Sequence, residues 1–271
     1  MRSISKAQVM PYYKECAEAF EKAYDYIKSC YDTDYVKELS ELRGYIGEEQ
    51  KQMIEDLEIG ACEIPRENLV YLGENARDLG LITEKGEFLL NGRYIVPIRD
   101  IANNLVALVG YIPDYQSKKY MTTPSPFFSK SCMLFNFRQA YDLSWQMYNG
   151  LVIVVEGIFD ALSLSSIGLP AVAVMGSALE PAKGELLKFF KRPICIPDDD
   201  NTGKKALNRY AKYGWKAPNN ALMVNLHGSE IFEGVKLKDM DNFVSWYEPK
   251  DVINTLLEIS KSRNEIEDLF L

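Results

Sequence analysis

The sequence predicts a mixed α+β and α/β protein: a helical and mixed N-terminal part, a parallel-sheet α/β part after it, and a helical segment at the C-terminus. Three observations predict this. From Leu151 onward, short β-branched runs alternate with helix-length apolar–polar segments, the pattern of a parallel sheet flanked by helices. Before about Leu90, apolar residues recur at helical spacing. Between these regions lie two strand-like runs joined by a turn-prone pair of asparagines. The expected divisions fall at 1–148, 149–230 and 231–271.

The elements follow in order. Ala17, Ala19-Phe20, Ala23-Tyr24 and Ile27 mark one helical face, and Ile46, Met53-Ile54, Leu57 and Ile59 another, with Gly44 and Gly60 at helix ends. The stretch from Ala7 to Leu90 therefore reads as mostly helical. Arg93–Arg99 and Leu105–Tyr111 read as strands around Asn103-Asn104, and the polar Tyr120–Pro126 segment as an exposed loop. Beyond Leu151 the expected strands are Leu151–Val155, Ala171–Met175, Ile194–Pro197 and Ala221–Asn225. The expected helices are Ile158–Ile167, Glu180–Phe190, Thr202–Tyr213 and the tail from Tyr247 to Leu271.

Composition narrows the function classes. With 271 residues, 47% hydrophobic and 26% charged, the chain has the make-up of an ordinary globular protein with one or two cores. The start lacks an apolar signal region and no stretch approaches a spanning helix, so the expected location is cytoplasmic. Five scattered cysteines without a C-x-x-C, and a single histidine, His227, in a turn-like segment, speak against a disulfide framework and a zinc site. The net charge of −8 opposes general polyanion binding. Yet between Tyr115 and Tyr141 there is no acid, while Lys118, Lys119, Lys130 and Arg138 are present, so a local basic stripe remains.

The chemistry concentrates at predicted strand ends. Leu151–Val155 finishes in Glu156-Gly157, and Pro193–Ile196 runs into Pro197-Asp198-Asp199-Asp200. In an open α/β sheet, ligands sit at the carboxyl ends of the strands, so Glu156, Asp198 and Asp200 should converge there. Gathered carboxylates repel one another unless a cation intervenes, and an all-oxygen site suits Mg²⁺ or Mn²⁺, ions that commonly serve phosphate groups. Blander readings stand beside this. Glu156 is able to cap the following helix, Gly157 to ease a turn, and the aspartates to form a solvated turn. The Asp198–Gly203 spacing brushes a calcium loop, but Arg209 stands where that loop needs a bidentate glutamate. No P-loop or dinucleotide fingerprint is present. Asp239 and Asp241 form a further alternate-residue acid pair, by itself a routine surface loop.

Taken together, Glu156 and Asp198-x-Asp200 resemble the Toprim domain, a metal-binding fold shared by bacterial-type primases, topoisomerases and some nucleases. Leu151–Leu162, Val174-Met-Gly-Ser177 and Lys238–Val244 are similar to segments of bacterial DnaG-type primases. Arg93–Asp100 and Lys119–Pro124 resemble that family's basic N-terminal subdomain, and Phe135-Asn-Phe137 its aromatic link to the Toprim strand. The likeness runs from about Tyr13 to Trp246. Three departures are visible: no zinc-ribbon cysteines occur, no helicase-binding helical domain or fused helicase is expected from the sequence, and Tyr111 stands where the family tends to be basic. The chain is thus similar to an isolated primase core, as in phage-encoded or otherwise reduced primases.

The resemblance implies a DNA-dependent RNA polymerase that makes short primers on single-stranded DNA from ribonucleoside triphosphates. It implies one or two Mg²⁺ or Mn²⁺ ions held by Glu156, Asp198, Asp200 and Asp239, with Asp160 and Asp241 in support or at a second ion, and no zinc. It assigns Arg93, Arg99, Lys119, Tyr120 and Lys130 to template or nucleotide. A replicative helicase, a clamp or a separate template-recognition protein is the implied partner, and no membrane. The tail Asn264–Leu271 either packs on the protein's own body or docks such a partner. Two alternatives stay open: a Toprim-type metal-dependent nuclease and a non-catalytic nucleic-acid adaptor.

Overall fold

A computed structural model of the chain describes residues 6–32, 34, 37–39, 41, 48–113, 118–124, 128–176, 180–196, 222–224, 230–231, 235–236, 251–254, 256 and 260–262. The backbone divides into two compact units, one of residues 1–42 and 51–128, the other of 43–50 and 129–271.

The first unit is a helix laid on an antiparallel sheet. Helix α1 (Lys6–Ser29) buries Phe20, Ala23, Tyr24 and Ile27, the i, i+3, i+4, i+7 stripe of a core-facing helix. That stripe joins Ile95, Leu105 and Leu108 of the sheet in one apolar cluster. The sheet runs β1 (Gly60–Cys62), β2 (Arg93–Arg99), β3 (Leu105–Tyr111) and β4 (Tyr120–Thr122), each antiparallel to its neighbour. Asn103 turns the β2–β3 corner in the left-handed region at φ 68°, and the Asp100 carboxylate accepts the Ala102 and Asn104 amides at 2.8 and 2.9 Å. Pro97 is tolerated within β2 because β1 pairs no further than Ile95, which leaves that flank of the strand without a ladder partner among the described residues.

Two sequence expectations are corrected in part. The stretch from Ala7 to Leu90 is helical over more than half of its described residues, as expected, but not throughout. Helix α2 (Glu48–Asp56) and a 3₁₀ helix (Arg66–Leu72) are present, but Gly60–Cys62 is a strand and 73–92 is largely turns. A three-residue, fully buried strand shows no alternation, so periodicity cannot find it. Gly60 does not end a helix; it lies against the Tyr31 ring, where a Cβ would come within 2.3 Å of Cδ2. Nor is Tyr120–Pro126 wholly an exposed loop. Tyr120–Thr122 pairs with β3, and Thr123 is buried, donating its amide to the Leu108 carbonyl at 3.0 Å while its hydroxyl accepts the Leu108 amide at 2.9 Å. A neighbouring strand satisfies polar threonines that look solvent-seeking in isolation.

A polar knot ties α1 to the sheet. Arg99, at the end of β2, pairs with Glu21 of α1 and, at 3.3 Å, with Glu58. Glu58 takes a left-handed φ of 56°, also pairs with Lys28, and accepts the Tyr24 hydroxyl on its carbonyl at 2.6 Å. Burial pushes the Tyr24 and Tyr31 phenols far up, so both stay protonated at physiological pH.

The second unit is the alternating part. Its five-stranded sheet has the order β11-β8-β7-β5-β6, made of β5 (Leu151–Val155), β6 (Ala171–Ala173), β7 (Arg192–Ile196), β8 (Leu222–Val224) and β11 (Ser260–Ser262). The four strands β8, β7, β5 and β6 are parallel, and β11 is antiparallel to β8. A two-strand ribbon of β9 (Glu230–Ile231) and β10 (Val235–Lys236) stands apart from it. Val152, Val154, Val172 and Val174 share one face with Phe137 and Ala140 of α3 (Phe137–Met147) and Leu187 of α5 (Pro181–Leu187). Helix α4 (Ile158–Ser166) connects β5 to β6 and is buried almost throughout. The outer edge of β6 is closed by Phe135, which exchanges backbone hydrogen bonds with Ala173 at 2.9 and 3.2 Å.

The expected helical tail from Tyr247 to Leu271 is corrected in part. Residues 251–254 are helical, but Ser260–Ser262 is a strand, since pairing with β8 satisfies its backbone as an isolated polar sequence could not forecast. The expected helix Thr202–Tyr213, His227 and the tail Asn264–Leu271 lie outside the described residues. Among the described residues no helix is long and apolar enough to cross a membrane.

Arg99→Ala should lower stability by about 1–3 kcal/mol, because it leaves Glu21 and Glu58 facing one another across a half-buried site. Urea unfolding measures it; an unchanged midpoint would mean the knot is decorative. Arg99→Lys should recover only part of the loss, since one ammonium cannot span two carboxylates as a guanidinium does.

Candidate functional site

The parallel register builds the site's floor. Val155 pairs with Ala173 on one side and Ile196 on the other, so β6, β5 and β7 finish level with one another. Glu156 stands one residue past the end of β5, half-buried. Asp198 follows the end of β7 by two residues in the sequence, but Asp198, Asp200, Asp239 and Asp241 all lie outside the described residues. Of the six acids expected to hold metal, the described set contains Glu156 and Asp160.

The two are held differently. Asp160 is in the first turn of α4 and only 9% exposed. A carboxylate is favoured there by the helix dipole. Gly157 is the N-cap residue of α4, in an ordinary extended conformation (φ −91°, ψ 145°). Gly157 has a purpose other than turn flexibility: a Cβ there would sit 2.2 Å from Asp160 Oδ2. The missing side chain is the space into which the Asp160 carboxylate folds.

Sequence reasoning passed over Lys183. It lies on α5 one turn before Leu187, on the sheet-facing side, and is 2% exposed. Its ammonium donates to the Val174 carbonyl at 2.7 Å and pairs with Glu180 at 3.0 Å. The signal was available: a lysine four residues before a core leucine in a short helix interrupts the apolar stripe. Cys195 of β7 is buried, and burial pushes its thiol well up, so it is an inert core residue.

An all-oxygen donor pair with a strand-end glutamate fits a hard divalent cation in kind. Among the described residues, however, no group of three or more His, Cys, Asp or Glu is close enough to hold one. Completion of such a site would fall to Asp198, Asp200 and Asp239.

The basic residues separate into three places. Arg93 opens β2 and donates to the Lys118 carbonyl at 2.9 Å. Beside it Tyr94, Tyr111 and Tyr120 stand directly opposite one another across β2, β3 and β4, with ring centroids 6.1 and 5.3 Å apart. The exposed Lys119 ammonium lies 5.8 Å from the Tyr111 centroid and 5.7 Å from that of Tyr120. At Tyr111, noted in the sequence as a departure, the positive charge comes from the neighbouring Lys119 instead. Arg99 is at the far end of β2, engaged by Glu21, Glu58 and the Asn103 carbonyl, and the structure does not bring it to Arg93 and Lys119. Lys130 is exposed, on a turn in the second unit.

Comparison with known proteins agrees with this fold. Residues 153–243 match the Toprim-like family profile. The DNA primase of Thermotoga maritima is 33% identical over 133 residues, 47% of this chain and 23% of that protein. The chain therefore spans about a quarter of the length of such a relative. The crystal structure of the RNA polymerase domain of Mycobacterium tuberculosis primase DnaG superposes with a TM-score of 0.75 at 17% identity, covering 94% of this chain and 86% of that one. A DnaG primase catalytic domain bound to single-stranded DNA superposes with a TM-score of 0.69 at 19% identity, over 92% and 81% of the two chains.

Gly157→Ala should displace the Asp160 carboxylate while costing little stability, about 1 kcal/mol or less, because the clash is with the tip of a side chain rather than with backbone. A crystal structure of the variant, with a thermal melt, checks both parts. An Asp160 carboxylate left in place would show that the glycine is kept for another reason.

Proposed function

We propose that this chain, which carries a Toprim-like domain and has the fold of the DnaG-type RNA polymerase domain, is the polymerase core of a DNA primase. It would make short RNA primers on single-stranded DNA by metal-dependent nucleotidyl transfer, in the cytoplasm. The observation that carries the reading is the level ending of β5 and β7: a strand-end glutamate beside the strand that leads into Asp198-x-Asp200. The relatives named above support it, as does the single-stranded DNA held by a protein of the same fold.

In this reading Glu156, Asp198, Asp200 and Asp239 hold Mg²⁺ or Mn²⁺, and Asp160 and Asp241 orient those ligands or serve a second ion. A divalent ion bound there would supply charge stabilisation for the triphosphate and its leaving group. The chain's own groups do the rest. Arg93, Lys119 and Lys130 bind phosphate, and Tyr120, at the end of the tyrosine ladder, offers a face on which a base stacks. Arg99 contributes by holding β2 against α1. The division into an N-terminal part to residue 148, a Toprim part to 230 and a C-terminal part to 271 belongs to the same proposal. So does a recruiting helicase, clamp or template-recognition protein.

Glu156→Gln and Asp198→Asn should each abolish incorporation of labelled ribonucleotides on single-stranded DNA and leave the melting temperature of metal-free protein within a few degrees. Wild-type incorporation rates in both variants would remove these residues from the chemistry. Release of short fragments without any nucleoside triphosphate would point to a nuclease instead.

Lys119→Ala should weaken single-stranded DNA binding and reduce the log–log salt slope by about 0.7, the value of one lost phosphate contact. A titration from low to high salt that superimposes on wild type would make Lys119 a cation for Tyr111 and Tyr120 alone.

A further inference from the structure

We infer that Lys183 and Glu180 form a built-in charge pair that sets how tightly the acidic sheet edge holds its divalent ion, with Lys183 a positioning residue and counter-cation. The inference rests on the metal reading above and adds a residue to it.

The argument starts from the cost of burying an ammonium. Lysine is almost never fully buried unless paired, because leaving water costs several kcal/mol. Lys183 is 2% exposed, yet the core side of α5 has room for an apolar side chain, as Leu187 one turn later shows. Something must hold the ammonium there. The Val174 carbonyl accepts it at 2.7 Å, and Glu180 Oε2 lies 3.0 Å away, an ion pair without hydrogen-bond alignment. Val174 is the first residue beyond β6, and Glu180 is the N-cap of α5. The ammonium therefore clasps the exit of a strand to the start of the next helix, at the carboxyl edge of the sheet.

That edge is the one where Glu156 stands. The Val174 amide donates to the Val155 carbonyl at 2.9 Å, which brings the residue bonded to Lys183 alongside the end of β5. Val152, Val154, Val172 and Val174 all belong to the apolar cluster that includes Leu187. Lys183 is thus a cation held at the same strand-end edge from which Glu156 emerges.

A fixed cation there has a signed effect. It offsets carboxylate repulsion before a divalent ion arrives and opposes that ion once bound, so it stabilises the metal-free protein and weakens metal affinity. Glu180 acts in the opposite sense, cancelling part of the lysine's field. A staple without electrostatic influence would produce neither effect.

The test measures Mn²⁺ affinity by paramagnetic titration of the full chain, with thermal melts in the absence and presence of Mg²⁺. Lys183→Met keeps the stem and removes the charge. It should lower the metal-free melting temperature, enlarge the metal-induced rise and tighten Mn²⁺ roughly three- to tenfold, the range left after solvent and salt screening. Glu180→Gln, a half-exposed change that keeps the lysine, should weaken Mn²⁺ by a similar factor. Opposite signs in the two variants support the inference. Affinities that move together, or stay within twofold of wild type, overturn it and leave Lys183 a structural clasp. Should Lys183→Met fail to fold, an unchanged affinity in Glu180→Gln overturns it alone. Wild-type protein that binds no Mn²⁺ overturns the metal reading itself, and the inference with it.

Discussion

The level ending of three parallel strands is the constraint on which the rest of the second unit depends. Parallel pairing places Val155 against both Ala173 and Ile196, and the residues that follow each strand must emerge together. Glu156 needs no special local conformation to reach the edge; it needs only the register. Because side chains alternate with a period of two, a slip of one residue would exchange Val152 and Val154 for Ile153 and Val155 on the face that packs against α3 and α5, and would shift Glu156 along the edge with them.

Around this edge the helices divide the labour. Helix α4 starts at once after Gly157, so its N-terminal turn presents Asp160 back toward the strand end. Helix α5 starts later, and its sheet-facing side carries Lys183 where an apolar residue would ordinarily pack. One helix brings an anion and the other a cation to the same rim of the sheet. The electrostatics at the rim follow from where two helices begin, not from loop sequence alone.

The first unit solves a different problem. Its sheet carries the Tyr94–Tyr111–Tyr120 row at one end of β2 and the Arg99–Glu21–Glu58 knot at the other. Arg93 and Arg99 bracket the same seven-residue strand, about 20 Å apart by strand rise, and meet different partners. Residue type alone made them look alike; only their partners distinguish them.

The sequence by itself determined the alternating half. Long apolar β-branched runs bounded by Glu, Gly, Pro and Asp have one economical burial, a parallel sheet with helices over it; β5, β6 and β8 fall within the expected stretches, and β7 starts two residues earlier than expected. It also determined that Glu156 closes a strand, since a carboxylate cannot continue a buried run. Tertiary structure decided what depends on a partner distant in the chain. Tyr120–Thr122 and Ser260–Ser262 are strands only because β3 and β8 offer them backbone groups to bond. Gly60–Cys62 is a strand only because β2 and the Tyr31 ring close over it. Arg99 turned inward because Glu21, 78 residues away, waits on the facing helix. Lys183 is buried because Val174 and Glu180 meet its ammonium. Periodicity reports which face a residue prefers, whereas the groups that satisfy a buried charge or an unpaired amide come together only when the chain has folded.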